Sequence, residues 1–307
     1  MRIKSAIFKI LLLAVLPLSA QAAVVERMFE TEFPVINQER DIRTAAFEQG
    51  FIEVLVRVSG NSQVPTQLDI SKAARYVSQY RYLPIKQVSQ PVATPEQEAM
   101  PTPKYQLWIQ FNEGAIKQLL RENNLPIWGQ QRPSVLLWLA VRDGRNRYIL
   151  REQDASVIKD AVTSETQRRG LPVIWPKVDR ADQQYVSFAD VWGSFWQPIL
   201  KASERYSVDA VVVGRMNWQD GSWQVDWSMN LDKTSTSWKL RALDLKLLMA
   251  SGIDVATDQI SRRFSVLDDV ANTGQLIVQV NGIDHIKTYA QINQYLSSLA
   301  PVKNVYA

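Results

Sequence analysis

The stretch at residues 127–141, Ile-Trp-Gly-Gln-Gln-Arg-Pro-Ser-Val-Leu-Leu-Trp-Leu-Ala-Val, limits the fold more than any other part of this sequence. A short polar turn, Gly129 to Arg132, meets a proline and then an almost unbroken apolar run. Seven of the eight residues at 134–141 are apolar, with no alternation of polar and apolar positions. That pattern predicts a central strand buried on both faces, entered through Pro133, whose missing N–H suits the first residue of a strand. The fold class that follows is α/β: a mixed sheet with parallel strands, flanking helices and an antiparallel edge.

The chain falls into four parts around that strand. Residues 1–22 have the features of a secretory signal: Arg2, Lys4 and Lys9, then a short apolar run, then Ala20-Gln21-Ala22 as a small-x-small cleavage box. Cleavage is expected after Ala22, which places the protein in the periplasm. Residues 23–126 form an α+β N-terminal unit, residues 127–268 a tryptophan-rich α/β unit, and residues 275–307 a small βαβ tail. Later apolar runs all fall short of a membrane span, so no transmembrane segment is expected after signal cleavage.

Within the first unit the spacing predicts a strand at 24–29 and a helix over 40–58, ended by Gly60 at a C′ position. A second helix is expected from a cap at Asp69 through Tyr80, then an extended run at 81–88. Four prolines mark a loop at 89–103. A half-buried strand at 105–111 and a helix over 113–123 complete the unit. In the second unit Asp143-Gly144 signals a hairpin, with 148–150 pairing back. Asp154 is expected to cap a helix that ends at Gly170. Buried strands at 171–175 and 209–214 flank a helix over 194–206. Strands at 223–231 and 237–241 follow, then a long helix over 243–264, broken near Gly252. In the tail, strands at 276–280 and 302–306 enclose a helix capped by Asp284.

Charge and composition remove several function classes. The whole chain has 35 Lys and Arg against 31 Asp and Glu, and loss of the three basic residues in the signal leaves 32 against 31. A near-neutral exported chain lacks the clustered cations of a nucleic-acid binder. With one histidine, His285, and no cysteine, a zinc site would need three or four carboxylates, so no metal is expected. No glycine-rich phosphate cradle is present and no cofactor is implied.

Three groups of residues remain as candidates for function. Asp179, Asp182 and Asp190 fall in the loop after the 171–175 strand, at a strand's carboxyl end, where open α/β sheets place ligands. A pair of them would suit acid and base roles on a glycan, although a solvated loop with Asp190 capping a helical turn is the plainer reading. All ten tryptophans lie between Trp108 and Trp238. Trp108 sits opposite the apolar set of its strand, and Trp223 and Trp227 share a strand face, so they suggest an aromatic platform for a glycan or a partner, or else packing. Arg132, before the central strand, would clamp a carboxylate or phosphate, or tie a loop carbonyl.

One set of motifs points to a family. Val56-Arg57-Val58-Ser59-Gly60, Tyr80-Arg81-Tyr82, Trp128-Gly129-x-x-Arg132-Pro133 and Arg169-Gly170-Leu171-Pro172 come first. Asp190-Val191-Trp192-Gly193, Arg205-Tyr206, Asp209-Ala210 and Gly214-Arg215 follow in order. Together they resemble a proteobacterial exported family known as domain of unknown function 2066, over about residues 24–265. The resemblance implies export and supplies no catalytic list, ligand or reaction. The expected function is a periplasmic binding or scaffold protein of the cell envelope, not an enzyme, with an envelope protein or peptidoglycan as partner. Alternatives are a glycan-active hydrolase using the loop carboxylates, and a small-ligand binding protein with its site between the units.

Overall fold

Two antiparallel hairpins joined end to end give the larger sheet its width, and the central strand gives it two faces. The structure, a computed structural model, describes residues 23–85, 102–265, 285–298 and 305. The signal segment, most of the proline-rich loop, Asp284 and the two tail strands lie outside those residues.

The central strand is β6 (Val135–Asp143), and every residue from Val135 to Val141 is buried. It pairs in parallel with β9 (Ala210–Gln219) on one side. On the other side the short β8 (Val173–Ile174) lies parallel to its first two residues, and β7 (Asn146–Ile149) pairs antiparallel with its far end. The sheet continues from β9 through β10 (Ser222–Leu231) to β11 (Thr234–Ala242), all antiparallel. Both of those hairpins use two-residue turns with positive φ, Asp220-Gly221 and Asp232-Lys233, the conformation whose twist matches that of the strands.

Helices cover both faces of this sheet, which is why β6 shows no polar alternation. On one face Leu137, Leu139, Val141, Val212, Val225 and Trp227 pack with α3 (Val157–Arg169) and α7 (Leu245–Phe264). On the other, Leu136, Trp138, Ala140, Val211 and Val213 meet Val186, Val191, Ile199 and Ala202. Val186 comes just after α4 (Arg180–Gln183); the other three lie on α5 (Phe188–Gly193) and α6 (Trp196–Ser203). Trp138 donates its indole N–H to Ser203 Oγ at 3.0 Å, which pins α6 to the central strand.

The N-terminal part is a separate three-stranded antiparallel sheet, β2 (Glu30–Val35), β4 (Tyr105–Phe111) and β3 (Val77–Pro84), with β4 in the middle. One face packs on α1 (Arg40–Ser59) and α2 (Glu113–Glu122), burying Phe33, Phe47, Phe51, Leu55, Leu107, Ile109, Ile116 and Leu120. Ile127 belongs to this core and Trp128 to the next, so the change of core falls between adjacent residues. The first strand, β1 (Ala23–Val24), pairs with β5 (Gln131–Arg132) beside that crossing. The helix α8 (Ile286–Ser298) completes the described elements.

Several local expectations need correction. The strand expected at 24–29 is two: β1, then β2 beginning at Glu30. The segment after Asp69 is a 3₁₀ turn, Ile70–Tyr76, and β3 starts at Val77 because Tyr80 and Tyr82 pair with Ile109 and Leu107 of β4. Tertiary pairing there outweighs a helical pattern of alanines. Ser156, not Asp154, caps α3; Asp154 accepts instead from the Arg151 backbone and guanidinium. The helix α7 runs through Gly252 without a break.

Candidate functional site

The tryptophans named from sequence have three different surroundings. Trp108 lies on the outer face of β4, opposite Glu32 of β2 and Arg81 of β3. Its indole N–H donates to Glu30 at 3.0 Å and the Arg81 guanidinium stacks 4.4 Å from its centroid, so the ring is buried. Burial alone would raise the Glu30 pKa, yet the Arg27 and Trp108 donors leave it lowered. Trp227 is fully enclosed between sheet and α7, stacked on Trp238 with centroids 6.1 Å apart. Neither ring presents a face to solvent. Trp223 is half-buried, and it reaches the surface.

Arg132 is enclosed too, which removes it as an anion clamp. Its guanidinium donates to the carbonyls of Gly129, Arg169 and Gly170 at 3.1, 2.7 and 2.8 Å and to that of Arg57, and it stacks on Trp128 at 3.9 Å. Burial and the neighbouring Arg57 and Arg169 charges push its pKa well below the ordinary guanidinium value. Gly170 is part of the same junction. With φ at 62° it ends α3, and a Cβ there would meet Arg132 at 2.8 Å. These contacts tie α1, the turn before β6 and α3 together.

The three aspartates do not share a site. Asp179 caps α4 and pairs with Arg205 at 2.6 Å, whose bond holds the carboxyl below its usual range. Asp182 is buried and accepts from the Val178 N–H, the Tyr206 hydroxyl and Arg205 at 2.8, 2.6 and 3.1 Å. Burial, then the bond to Asp182, raises the Tyr206 pKa strongly. Asp190 closes a capping box with Ser187 at the start of α5. Asp179 and Asp182 thus converge on Arg205, while Asp190 is spent elsewhere. All three carry capping or tying bonds, and the first two pair with the Arg205 guanidinium.

The exposed aromatic surface joins Trp223, a candidate from its strand pattern, to Trp218, Leu243 and Leu247, which that pattern did not single out. Trp218, at the end of β9, faces Trp223 across the strand pair, with rings edge-on at 5.2 Å. Ala242 of β11 flanks Trp223 on its other side, and Leu243 follows at once. Leu243 is 77% exposed, Leu247 on the first turn of α7 is 61% exposed, and Trp218 is 49% exposed. Asp244 caps α7 between the two leucines by accepting from the Leu247 N–H at 2.9 Å. The signal was readable: Trp-Gln-Asp-Gly-Ser-Trp places two tryptophans at matched positions of a two-residue hairpin, and directly paired residues share a face.

A family model described as Domain of unknown function (DUF8605) matches residues 22–129. That span covers β1 to α2 and stops at the crossing between the cores. No curated protein matches the chain. A solved structure described as "Crystal structure of uncharacterized protein" is 10% identical and covers 43% of this chain and 98% of its own, with a TM-score of 0.17. At that score the likeness carries no argument.

Two further features complete the surface. A cleft of about 400 Å³ lies beside Tyr148, Arg151, Asp154 and the α3 cap Ser156. Its arginine and aspartate are paired with each other at 2.8 Å. Among the described residues no three His, Asp or Glu side chains converge as metal ligands, and His285 is exposed.

Proposed function

We propose that this chain is a binding or scaffold protein of the cell envelope, exported to the periplasm and cleaved after Ala22. It takes a partner protein on the corner formed by Trp218, Trp223, Leu243 and Leu247. The observation that carries the reading is the exposure of Trp218, Leu243 and Leu247 around one sheet end, with the half-buried Trp223 among them. Four such side chains present on the order of a few hundred Å², the size of the patches that mark interaction sites on monomers. Two tryptophans held on a strand pair suit a protein partner, because little side-chain freedom is lost when they dock. Trp223 is held by the core beside Leu245, and Asp244 fixes the start of α7.

The periplasmic address rests on the leader pattern at residues 1–22. The likeness to the proteobacterial family 2066 enters on its motifs alone. In the hydrolase alternative two carboxyls would have to converge in a cleft with one pKa raised; the bonding of Asp179, Asp182 and Asp190 gives that reading no support.

The test replaces Trp218 with a photo-crosslinking amino acid in the tagged protein, irradiates intact cells and identifies adducts by mass spectrometry. A discrete adduct to one envelope protein is expected, lost when Leu243→Ser and Leu247→Ser are added, on a protein whose mature mass begins at Ala23. An adduct indifferent to those substitutions, or none, would count against the corner.

A further inference from the structure

The sheet face opposite α7 offers a second surface of different chemistry. In β10 the side chains on that side are Gln224, Asp226, Ser228 and Asn230, and in β11 they are Ser235, Ser237, Lys239 and Arg241. The strand registers extend these positions into rows. One row reads Arg147, Arg142, Asn217, Gln224, Arg241 across β7, β6, β9, β10 and β11. The next reads Ala140, Arg215, Asp226, Lys239. Directly paired residues point to one side of a sheet, so the rows lie on a common face with strands about 4.8 Å apart.

Helices cover only part of this face. The layer from α4 to α6 packs on β6, β7 and β9, and Trp192 of α5 receives the Arg142 guanidinium at 4.8 Å. Beyond it Ser235, Ser237, Lys239 and Arg241 are exposed and Gln224, Asp226, Ser228 and Asn230 half-buried. The alternation along β10 follows from this: one side faces the α7 core, the other faces water.

The charges on the face are unequal. Asp226 pairs with Arg215 at 2.9 Å and approaches Lys239 at 3.8 Å, so one carboxylate is bracketed by two cations. Arg142, Arg147 and Arg241 add positive charge along the neighbouring row. Between the cations stand amides and hydroxyls, and large apolar side chains are absent from these β10 and β11 positions.

We propose that this open face binds an anionic glycan, a sugar chain bearing carboxylate groups. Guanidinium forks match planar oxyanions, and the amide and hydroxyl rows match sugar hydroxyls at the spacing of the strands. A lipid surface would be expected to need apolar side chains for insertion, which this face lacks and the Trp218 corner on the other face has. The occupant is chosen on charge and on the polar rows between the charges.

The test uses the full mature protein with polygalacturonate as the carboxylated chain, and neutral dextran, linear polyphosphate and phosphatidylglycerol vesicles as comparisons, read by calorimetry at low salt. Polygalacturonate should bind and dextran should not. Arg147→Ser with Lys239→Ser should weaken binding at least tenfold. Ser237→Asp, which adds a negative charge to an exposed hydroxyl position, should do the same with an unchanged melting temperature. Absence of polygalacturonate binding, indifference to both sets of substitutions, or stronger binding to polyphosphate or the vesicles would overturn the glycan assignment.

Discussion

Arg57, Arg132 and Arg169 lie buried where α1, the turn before β6, α3 and α7 meet, and most of their bonds go to backbone carbonyls. Carbonyls at helix ends and turns lack partners of their own, and a planar guanidinium satisfies several at once. Arg169 also reaches Asp254 and Asp258 of α7, each at 2.6 Å. Glu53, half-buried beside Arg57, is affected in the opposite sense: burial raises its pKa, against the attraction of Arg57 and Arg168. A carboxyl with a raised folded pKa favours the fold when protonated, and that contribution is lost as pH rises through the raised value. Glu53→Gln should therefore be at least as stable as the parent at pH 7 in urea. The difference should close as pH falls toward about 3, below the ordinary glutamate value of about 4.3. A parent clearly more stable than E53Q at pH 7 would show that the ion pair outweighs burial.

At the scale of elements, β10 and α7 are held together by close approach. Trp227 lies opposite Gly214 of β9, and Gly252 of α7 sits over its indole. A Cβ on Gly252 would come within 2.6 Å of the Trp227 ring, and one on Gly214 within 2.5 Å of Leu139 Cδ1. Alanine normally gains about 1 kcal/mol over glycine inside a helix. Gly252→Ala should instead cost about 1–3 kcal/mol, since the ring is enclosed and has nowhere to move. Gly114→Ala in α2, whose nearest contact would be 3.4 Å away, is the control, and a small gain is expected. Both are read from urea midpoints, and a stabilised G252A would mean that α7 yields freely. The glycine that suggested a broken helix is there because an indole needs the space.

For the whole molecule, two cores depend on one seam. Ser62 donates to Asp258 at 2.6 Å, Ser261 and Arg169 both donate to the Gly60 carbonyl, and the Trp128 N–H donates to the Val58 carbonyl at 2.7 Å. The parent should melt in a single calorimetric transition. Arg169→Met leaves carboxylates and a carbonyl short of a donor, so a loss of about 3–5 kcal/mol is expected, with the transition broadened or split. Two transitions in the parent would show that the seam does not couple the cores. Much of this architecture was legible locally. The run at 135–141 determined a strand covered on both faces, Gly60 and Gly170 marked two helix ends, and paired turn residues marked the hairpins, because those signals depend on neighbours along the chain. The roles of Arg132, Trp108, Trp227 and Asp182 were not legible, because arginine, tryptophan and aspartate serve ligand and backbone equally well. Only packing decided which of them face solvent: α7 closes over Trp227 and stops short of Trp218, and the α4 to α6 layer stops short of β10. The sequence alone determined which strand is central and most of the helices and strands around it, since burial on both faces is written in residue type, but not the 3₁₀ turn and strand after Asp69, where pairing with β4 decided. The surfaces left open were decided by the tertiary structure, since they depend on where a covering helix ends relative to a strand distant in sequence.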